Sequence, residues 1–381
     1  MEFKLSNEHK MLRKMYQAFV ENEVKPLAQE IDEEERFPSE TVAKLAKLGM
    51  MGIPFPRKYG GAGGDNLAYA MAVEELAKAC TTTSVIVAAH TSLCSYPIYA
   101  YGTEEQKMKY LPDLLSGRKL GAFGLTEPNA GSDASGQQTL AELVGDHYVL
   151  NGTKCFITNA SEASTFVVFA MTDRHAGNRG ISAFIVEKDF PGFSIGKHEK
   201  KMGIRGSATS DLIFEDCIVP KENLLGQAGK GFHVAMGTLD GGRVGVAAQA
   251  LGVAEGAIDE TVKYTKERVQ FGKRLSQFQN TQFQLADMRT KTDAAQLLVY
   301  RAACAKDAGD PDTGFYSSMA KLYAAENASD VTRRAVQLFG GYGYIRDYPV
   351  ERMMRDAKIT EIYEGTSEVQ RMVISRHMGV N

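Results

Sequence analysis

Residues 146–158 read Asp-His-Tyr-Val-Leu-Asn-Gly-Thr-Lys-Cys-Phe-Ile-Thr, and this stretch decides the class of fold. Two runs rich in β-branched and aromatic residues flank Asn151-Gly152. Asn-Gly is the strongest short-range hairpin signal, because both turn positions need positive φ. A hairpin centred on Asn151-Gly152 is therefore expected. Working outward, further strand signals are TFVVFAMT (165–172), GISAFIVEK (180–188) and SDLIFEDCIV (210–219), separated by Gly and Pro. No strand–helix alternation accompanies them, so the sheet is expected to be antiparallel.

Helical patterns lie on both sides. Leu12, Met15, Tyr16, Phe19, Val20 and Val24 recur at three- and four-residue steps. Glu40–Leu48 and Leu67–Lys78 continue in that way, the latter ending before CTTTS. A cap at Thr103 opens a helix that Gly117 stops. Beyond Gly231, VAAQALGVAEGAIDETVKYTKERV, Leu285–Ala308 and Phe315–Leu338 are long helical runs. Glu368–Met378 follows the N-cap signature Thr366-Ser367. Long helices with short joints predict a four-helix bundle. The expected class is α+β: an N-terminal all-α domain (1–120), a middle antiparallel β domain (121–230) and a C-terminal helical bundle (231–381).

The 381 residues carry 44 Lys plus Arg against 47 Asp plus Glu, a net charge of −3. This balance argues against nucleic acid as the main partner. No apolar run is long enough for a membrane span, and the N-terminal stretch mixes charge signs without a leader pattern. Five widely spaced cysteines with no CxxC argue against a zinc ribbon and a disulfide framework, so a reducing cytosol is expected. The dinucleotide-binding, P-loop, nucleophile-elbow and zinc-protease motifs are all absent.

Four stretches carry chemistry, each with a plainer alternative. FGLTEPNAGSD (123–133) offers backbone N–H groups and hydroxyls to an extended anionic ligand, or is a surface turn. Phe156 and Thr158, two apart on a strand, share a face that suits a flat heteroaromatic ring, or are ordinary β core. Asp240 and Arg243 share a helix face as a surface ion pair; the intervening Gly241-Gly242 cost helix stability and ask for the close approach of another body. Glu364, between Tyr363 and Gly365 on a tight loop, is either solvated or a desolvated general base with a raised pKa.

Together with RVQFGKRLSQFQ and QLFGGYGY, these stretches, in this order on an α–β–α chain, resemble the acyl-CoA dehydrogenase family over essentially the whole length. The likeness is strongest to its short-chain, butyryl-CoA branch. The resemblance implies an FAD cofactor lying along Phe123, Gly124, Leu125, Thr126, Gly131 and Ser132, with Ser132 also near the thioester arm. Phe156, Ile157 and Thr158 would back the flavin ring. Arg268, Phe271, Gln279 and the run Gln337, Leu338, Phe339, Gly340, Gly341 would hold the pyrophosphate and adenosine part. Thr366, Ser367 and Glu368 would cap the site. Acyl-CoA would meet Asp240, Gly241, Gly242, Arg243, Tyr363 and Gly365, with Glu364 as catalytic base. Some relatives carry the base carboxylate at the place of Gly242, which has no side chain to supply it. Many relatives carry Trp where this chain has Phe156, which loses the indole donor.

The implied reaction is α-proton abstraction with β-hydride transfer to flavin N5, giving a trans-2-enoyl-CoA. It can also run in reverse as enoyl-CoA reduction. Implied partners are electron-transferring flavoprotein and three further copies of the chain in a homotetramer, in a bacterial cytoplasm. An acyl-CoA oxidase, betrayed by peroxide release, and a non-catalytic binding relative are the alternatives.

Overall fold

The computed structural model describes residues 4–380. Residues 1–3, the start of the stretch read as having no leader pattern, and residue 381 lie outside them. Seven α-helices come first among the described residues: α1 (Asn7–Phe19), α2 (Ala28–Glu33), α3 (Ser39–Lys47), α4 (Asn66–Ala79), α5 (Thr81–Ala88), α6 (Tyr96–Tyr101) and α7 (Glu104–Leu115). Local chemistry sets their ends. The Ser6 side chain accepts from the His9 N–H at the start of α1. Thr103 and Gln106 close a capping box on α7. Gly117, at φ +71, ends the segment after α7. Helix α5 was not expected. All eight of its residues are buried, so it shows no amphipathic period.

Eight strands then form one sheet among the described residues: β1 (Leu120–Gly124), β2 (Leu140–Val144), β3 (His147–Ile157), β4 (Ala163–Met171), β5 (Ile181–Glu187), β6 (Phe193–His198), β7 (Ser210–Pro220) and β8 (Leu224–Leu225). The order is β6-β7-β3-β2-β4-β5-β8, with β1 beside β4. Two expectations are corrected here. The sheet is mixed, since β1 runs parallel to β4 and β2 meets β4 in parallel at Leu140. The Asn151-Gly152 hairpin does not form. The chain reverses at Gly145-Asp146 instead, with Val144 opposite His147.

Asn151 and Gly152 lie inside β3, at a register shift against β7. The Asn151 amide accepts from the Asp216 N–H at 2.8 Å and donates to the Asp216 carboxylate at 3.0 Å. A Cβ on Gly152 (φ +149) would press on Thr139. The pair that signals a turn is thus used to seat a bulge.

The C-terminal part holds α8 (Gly231–Glu267), a small hairpin of β9 (Val269–Gln270) and β10 (Lys273–Arg274), α9 (Gln279–Asp307), α10 (Thr313–Phe339), α11 (Val350–Ile359) and α12 (Ser367–His377). The three long helices α8, α9 and α10 pack together, with α11 and α12 against α10. The bundle's fourth place is therefore shared by two short helices, and α11 had no counterpart in the expectation. Helix α4 also packs on α8, and one buried core joins both helical parts. The sheet keeps its own core around Phe166, Phe184 and Phe214.

Candidate active site

Helix α11 ends at Ile359 and α12 begins at Ser367. The turn between them is drawn in by Tyr363 N–H to Ile359 O at 3.1 Å and Ser367 N–H to Glu361 O at 2.9 Å. The Thr366 hydroxyl caps α12 by accepting from the Val369 N–H. Glu364 (φ +52) and Gly365 (φ +91) are consecutive left-handed residues. For a glutamate this backbone is costly and must be held by its surroundings. Two side chains hold it. Gln370 Nε2 donates to Gly365 O at 2.8 Å and to Glu364 O at 3.3 Å. Lys321 Nζ donates to Gly365 O at 2.7 Å.

The Glu364 residue keeps some surface, yet its Oε2 atom is buried and has no hydrogen-bond partner among the described residues. It points at α8 where Gly242 stands. A Cβ there would collide with Oε2 and with the Leu93 side chain. Burial pushes the Glu364 carboxyl up to about 7, against the pull of Lys321 and Arg243. That is the range in which a carboxylate works as a general base near neutrality. The Tyr363 hydroxyl pairs with Gln249.

Arg243 is not a surface residue, as the ion-pair reading had it. It is 4% exposed and donates to Asp240 at 2.6 Å and to the Ser318 hydroxyl at 3.3 Å. Gly241 faces the Lys306 amine, which lies 4.2 Å from the centre of the Tyr96 ring. Burial lowers that amine to about 8.

The 123–133 loop is anchored beneath and open above. The carbonyl of Leu125 accepts from buried Lys154 at 3.2 Å, and that of Thr126 from the Cys155 N–H at 2.9 Å. Phe123 packs edge-on against Phe169, and Gly124 lies against Leu212. Among the described residues, nothing beyond Gly131's own chain neighbours lies within 4 Å of the place a Cβ would take, and Ser132 is exposed.

Phe156 does not share a regular strand face with Thr158. It falls in a second register shift of β3 at φ +60, and the strand ends at Ile157. The ring is 64% exposed while Ile157 is buried. A bulge with positive φ has turned a large aromatic outward.

A cavity of about 510 Å³ lies elsewhere, at the end of α10. Arg268, Gln337, Leu338, Phe339, Gly340 and Gly341 line it. Those six expected residues are brought together. Gln279 and Phe271 are not among its lining residues, and Phe271 stands 94% exposed at the β9–β10 tip. Sequence reasoning missed Lys321, Gln370 and the Lys154–Glu127 pair. Lys321 had a legible signal: it falls in the small-residue stripe Ser317, Ala320, Ala324, Ala328 of α10, all buried.

Three family models match the chain: the acyl-CoA dehydrogenase N-terminal domain at residues 6–118, its middle domain at 122–217 and its C-terminal domain at 229–379. The chain belongs to the acyl-CoA dehydrogenase family. It is therefore an FAD-dependent oxidoreductase of the α+β architecture. It is 63% identical to a short-chain specific acyl-CoA dehydrogenase of Clostridium acetobutylicum, over 98% of this chain and 99% of that one. It is 54% identical to an acryloyl-CoA reductase (NADH) of Anaerotignum propionicum, over 99% and 96%. A chain in a solved structure of the electron transferring flavoprotein of Acidaminococcus fermentans superposes with a TM-score of 0.98 at 55% identity, covering 99% of both.

The residues present fit an FAD. An outward Phe156 ring offers a flat apolar face. Gly131, Gly340 and Gly341 each leave their backbone open to approach, and the buried Ser367 hydroxyl lacks a partner among the described residues. Among those residues no helix is long and apolar enough to cross a membrane.

Proposed function

We propose that this chain dehydrogenates a short, butyryl-CoA-like acyl thioester to the trans-2-enoyl-CoA, with Glu364 as base. The observation that carries the reading is the enclosed, unpaired Oε2 of Glu364 with its pKa near 7. Glu364 takes the α-proton of the thioester on that oxygen. FAD, when bound, supplies the acceptor for the β-hydrogen, taken as hydride. Negative charge grows on the thioester oxygen as the proton leaves, so donors aimed there lower the barrier. The Glu364 and Gly365 carbonyls are occupied by Gln370 and Lys321, while their N–H groups donate to nothing among the described residues. We assign the Glu364 N–H to that oxygen.

Asp240, Gly241, Gly242, Arg243, Tyr363 and Gly365 are assigned to the acyl-CoA. The 123–132 loop, Phe156–Thr158 and Thr366–Glu368 are assigned to the flavin end of FAD. Arg268, Phe271, Gln279 and Gln337–Gly341 are assigned to its pyrophosphate and adenosine end.

A homotetramer is supported by what surrounds the 510 Å³ cavity. Phe271, Val269, Tyr344 and Ile345 are exposed apolar side chains, too many to leave in water without reason. A second copy covering them would complete the cofactor site. Electron-transferring flavoprotein is the proposed redox partner, in keeping with the flavoprotein structure that contains so similar a chain. The reductase relative supports operation in both directions, and neither relative favours the oxidase reading. Five free thiols accord with the proposed bacterial cytoplasm. Divisions near 120 and 230 are proposed as domain boundaries, where helices give way to β1 and β8 gives way to α8.

The test is anaerobic bleaching of the flavin by a series of acyl-CoA thioesters. Butyryl-CoA should bleach fastest. Glu364→Gln should bind the thioester and react roughly 10²–10⁴-fold more slowly, the usual contribution of a general base. An unchanged rate in that variant would remove Glu364 from the mechanism.

A further inference from the structure

Lys321 is the buried charge nearest the base loop for which the reaction outlined above has no stated use. Its side chain is wholly buried on the small-residue face of α10, and its one hydrogen bond among the described residues goes to the carbonyl of Gly365. Burying an ammonium is costly unless it is paired and hydrogen-bonded, and a single neutral carbonyl offsets only part of that cost. Holding the loop does not need the charge, because neutral Gln370 already donates to the same carbonyl at 2.8 Å.

The groups facing Glu364 are few. Lys321 comes from α10, Arg243 from α8, Tyr69 from α4 and Tyr363 from its own loop. Glu361, Glu368 and Arg243 face Lys321 besides Glu364. The two cations differ. Arg243 spends its charge on Asp240 at 2.6 Å. Lys321 makes no ion pair among the described residues, and its bond ends on the residue next to the base.

We propose that Lys321 is a positioning residue for proton abstraction: its positive charge, fixed by the bond to Gly365 O, keeps the Glu364 carboxylate ionised when substrate has displaced water from the site. This rests on Glu364 being the base. Burial drives the two groups toward each other, Glu364 up to about 7 and Lys321 down to about 8, so each depends on the other's charge.

The test uses the FAD-loaded enzyme, with the rate of flavin bleaching by butyryl-CoA followed from about pH 6 to about pH 9, a range that brackets both groups. Removing a facing opposite charge raises a carboxyl pKa by about one unit or more. In Lys321→Met and Lys321→Gln the acid limb of the profile should therefore move up by about that much. The rate near pH 6 should fall about tenfold and recover most of the way near pH 9. Lys321→Arg should keep the limb where it is. Gln370→Ala, which disturbs the loop without a charge, should lower the rate by a similar factor at every pH.

A second readout needs no turnover. The infrared carboxyl band that Glu364→Gln abolishes should titrate higher in Lys321→Met. A limb and a band that stay in place in both neutral variants overturn the proposal, whatever the loss of rate. The failure of the underlying reading looks different: Glu364→Gln would then bleach normally. Should Lys321→Met not fold, the Gln and Arg variants decide the same question.

Discussion

Two buried carboxylates of this protein have opposite fates. Glu127 lies under the 123–133 loop and is fully employed. Lys154 Nζ sits 2.7 Å from its Oε1, the Thr139 N–H is 3.0 Å from that same oxygen, and the Gln138 N–H is 2.5 Å from Oε2. Burial alone would raise its pKa, but the paired ammonium and the N–H donors outweigh it and hold the carboxyl below the usual range. Glu364 keeps some surface, but its carboxylate is turned inward with no donor on Oε2 among the described residues, and burial raises its pKa. A satisfied carboxylate builds a loop. One denied its partners is kept ready to take a proton.

The largest effect expected from breaking this contrast is at Lys154→Met. It strips Glu127 of its partner inside the protein and leaves a buried charge, which costs about 3–5 kcal/mol. Denaturant unfolding should show it, together with weaker flavin retention, because the Leu125 carbonyl loses the same ammonium. A stability change below ~1 kcal/mol would mean that water reaches the pair.

Gly242→Ala comes next. Its methyl would collide with Glu364 Oε2 and the Leu93 side chain, and displacing a reacting group by about 1 Å costs up to ~10²-fold in rate. We expect the bleaching rate to fall about 10- to 100-fold with folding kept. A full rate would show that Oε2 does not rest against α8 during the reaction.

The smallest effect concerns pH and stability. Glu364 has its folded pKa raised, so ionisation costs the folded state as pH rises above the unfolded value, and the cost is full above about 7. Glu364→Gln should therefore be more stable than the parent near pH 8, by about 1–2 kcal/mol given its partial exposure, with no gain near pH 4. Glu127 has the opposite sign. Its contribution is present above the unfolded pKa and lost as pH falls through the depressed folded one. Thermal midpoints of Glu364→Gln and Glu127→Gln across pH would separate the two.

Much of the architecture could be read from local pattern. The runs at 165–172, 180–188 and 210–219 became β4, β5 and β7, and the long helical runs became α8, α9 and α10. Each is long, and period or β-branched content announces it. Helix α5 escaped because it is buried on every side, and the ten residues of α11 drew no sequence reading of their own. Asn151-Gly152 misled for another reason. Its turn propensity is real, but the sheet had a closer partner for the Asn151 amide in Asp216.

The candidate site divides in the same way. Residue type and neighbours along the chain supplied the tight loop at 362–368 and the loop of hydroxyls and open backbone, while the choice of Glu364 as base and the mention of Gly242 came from the family resemblance. Only the folded chain decided that Arg243 is buried, that Phe156 turns outward at a bulge, that Lys321 reaches across from α10 and that one carboxylate oxygen is left alone. Charge and desolvation act through space, between groups tens to hundreds of residues apart, and no local pattern encodes those distances.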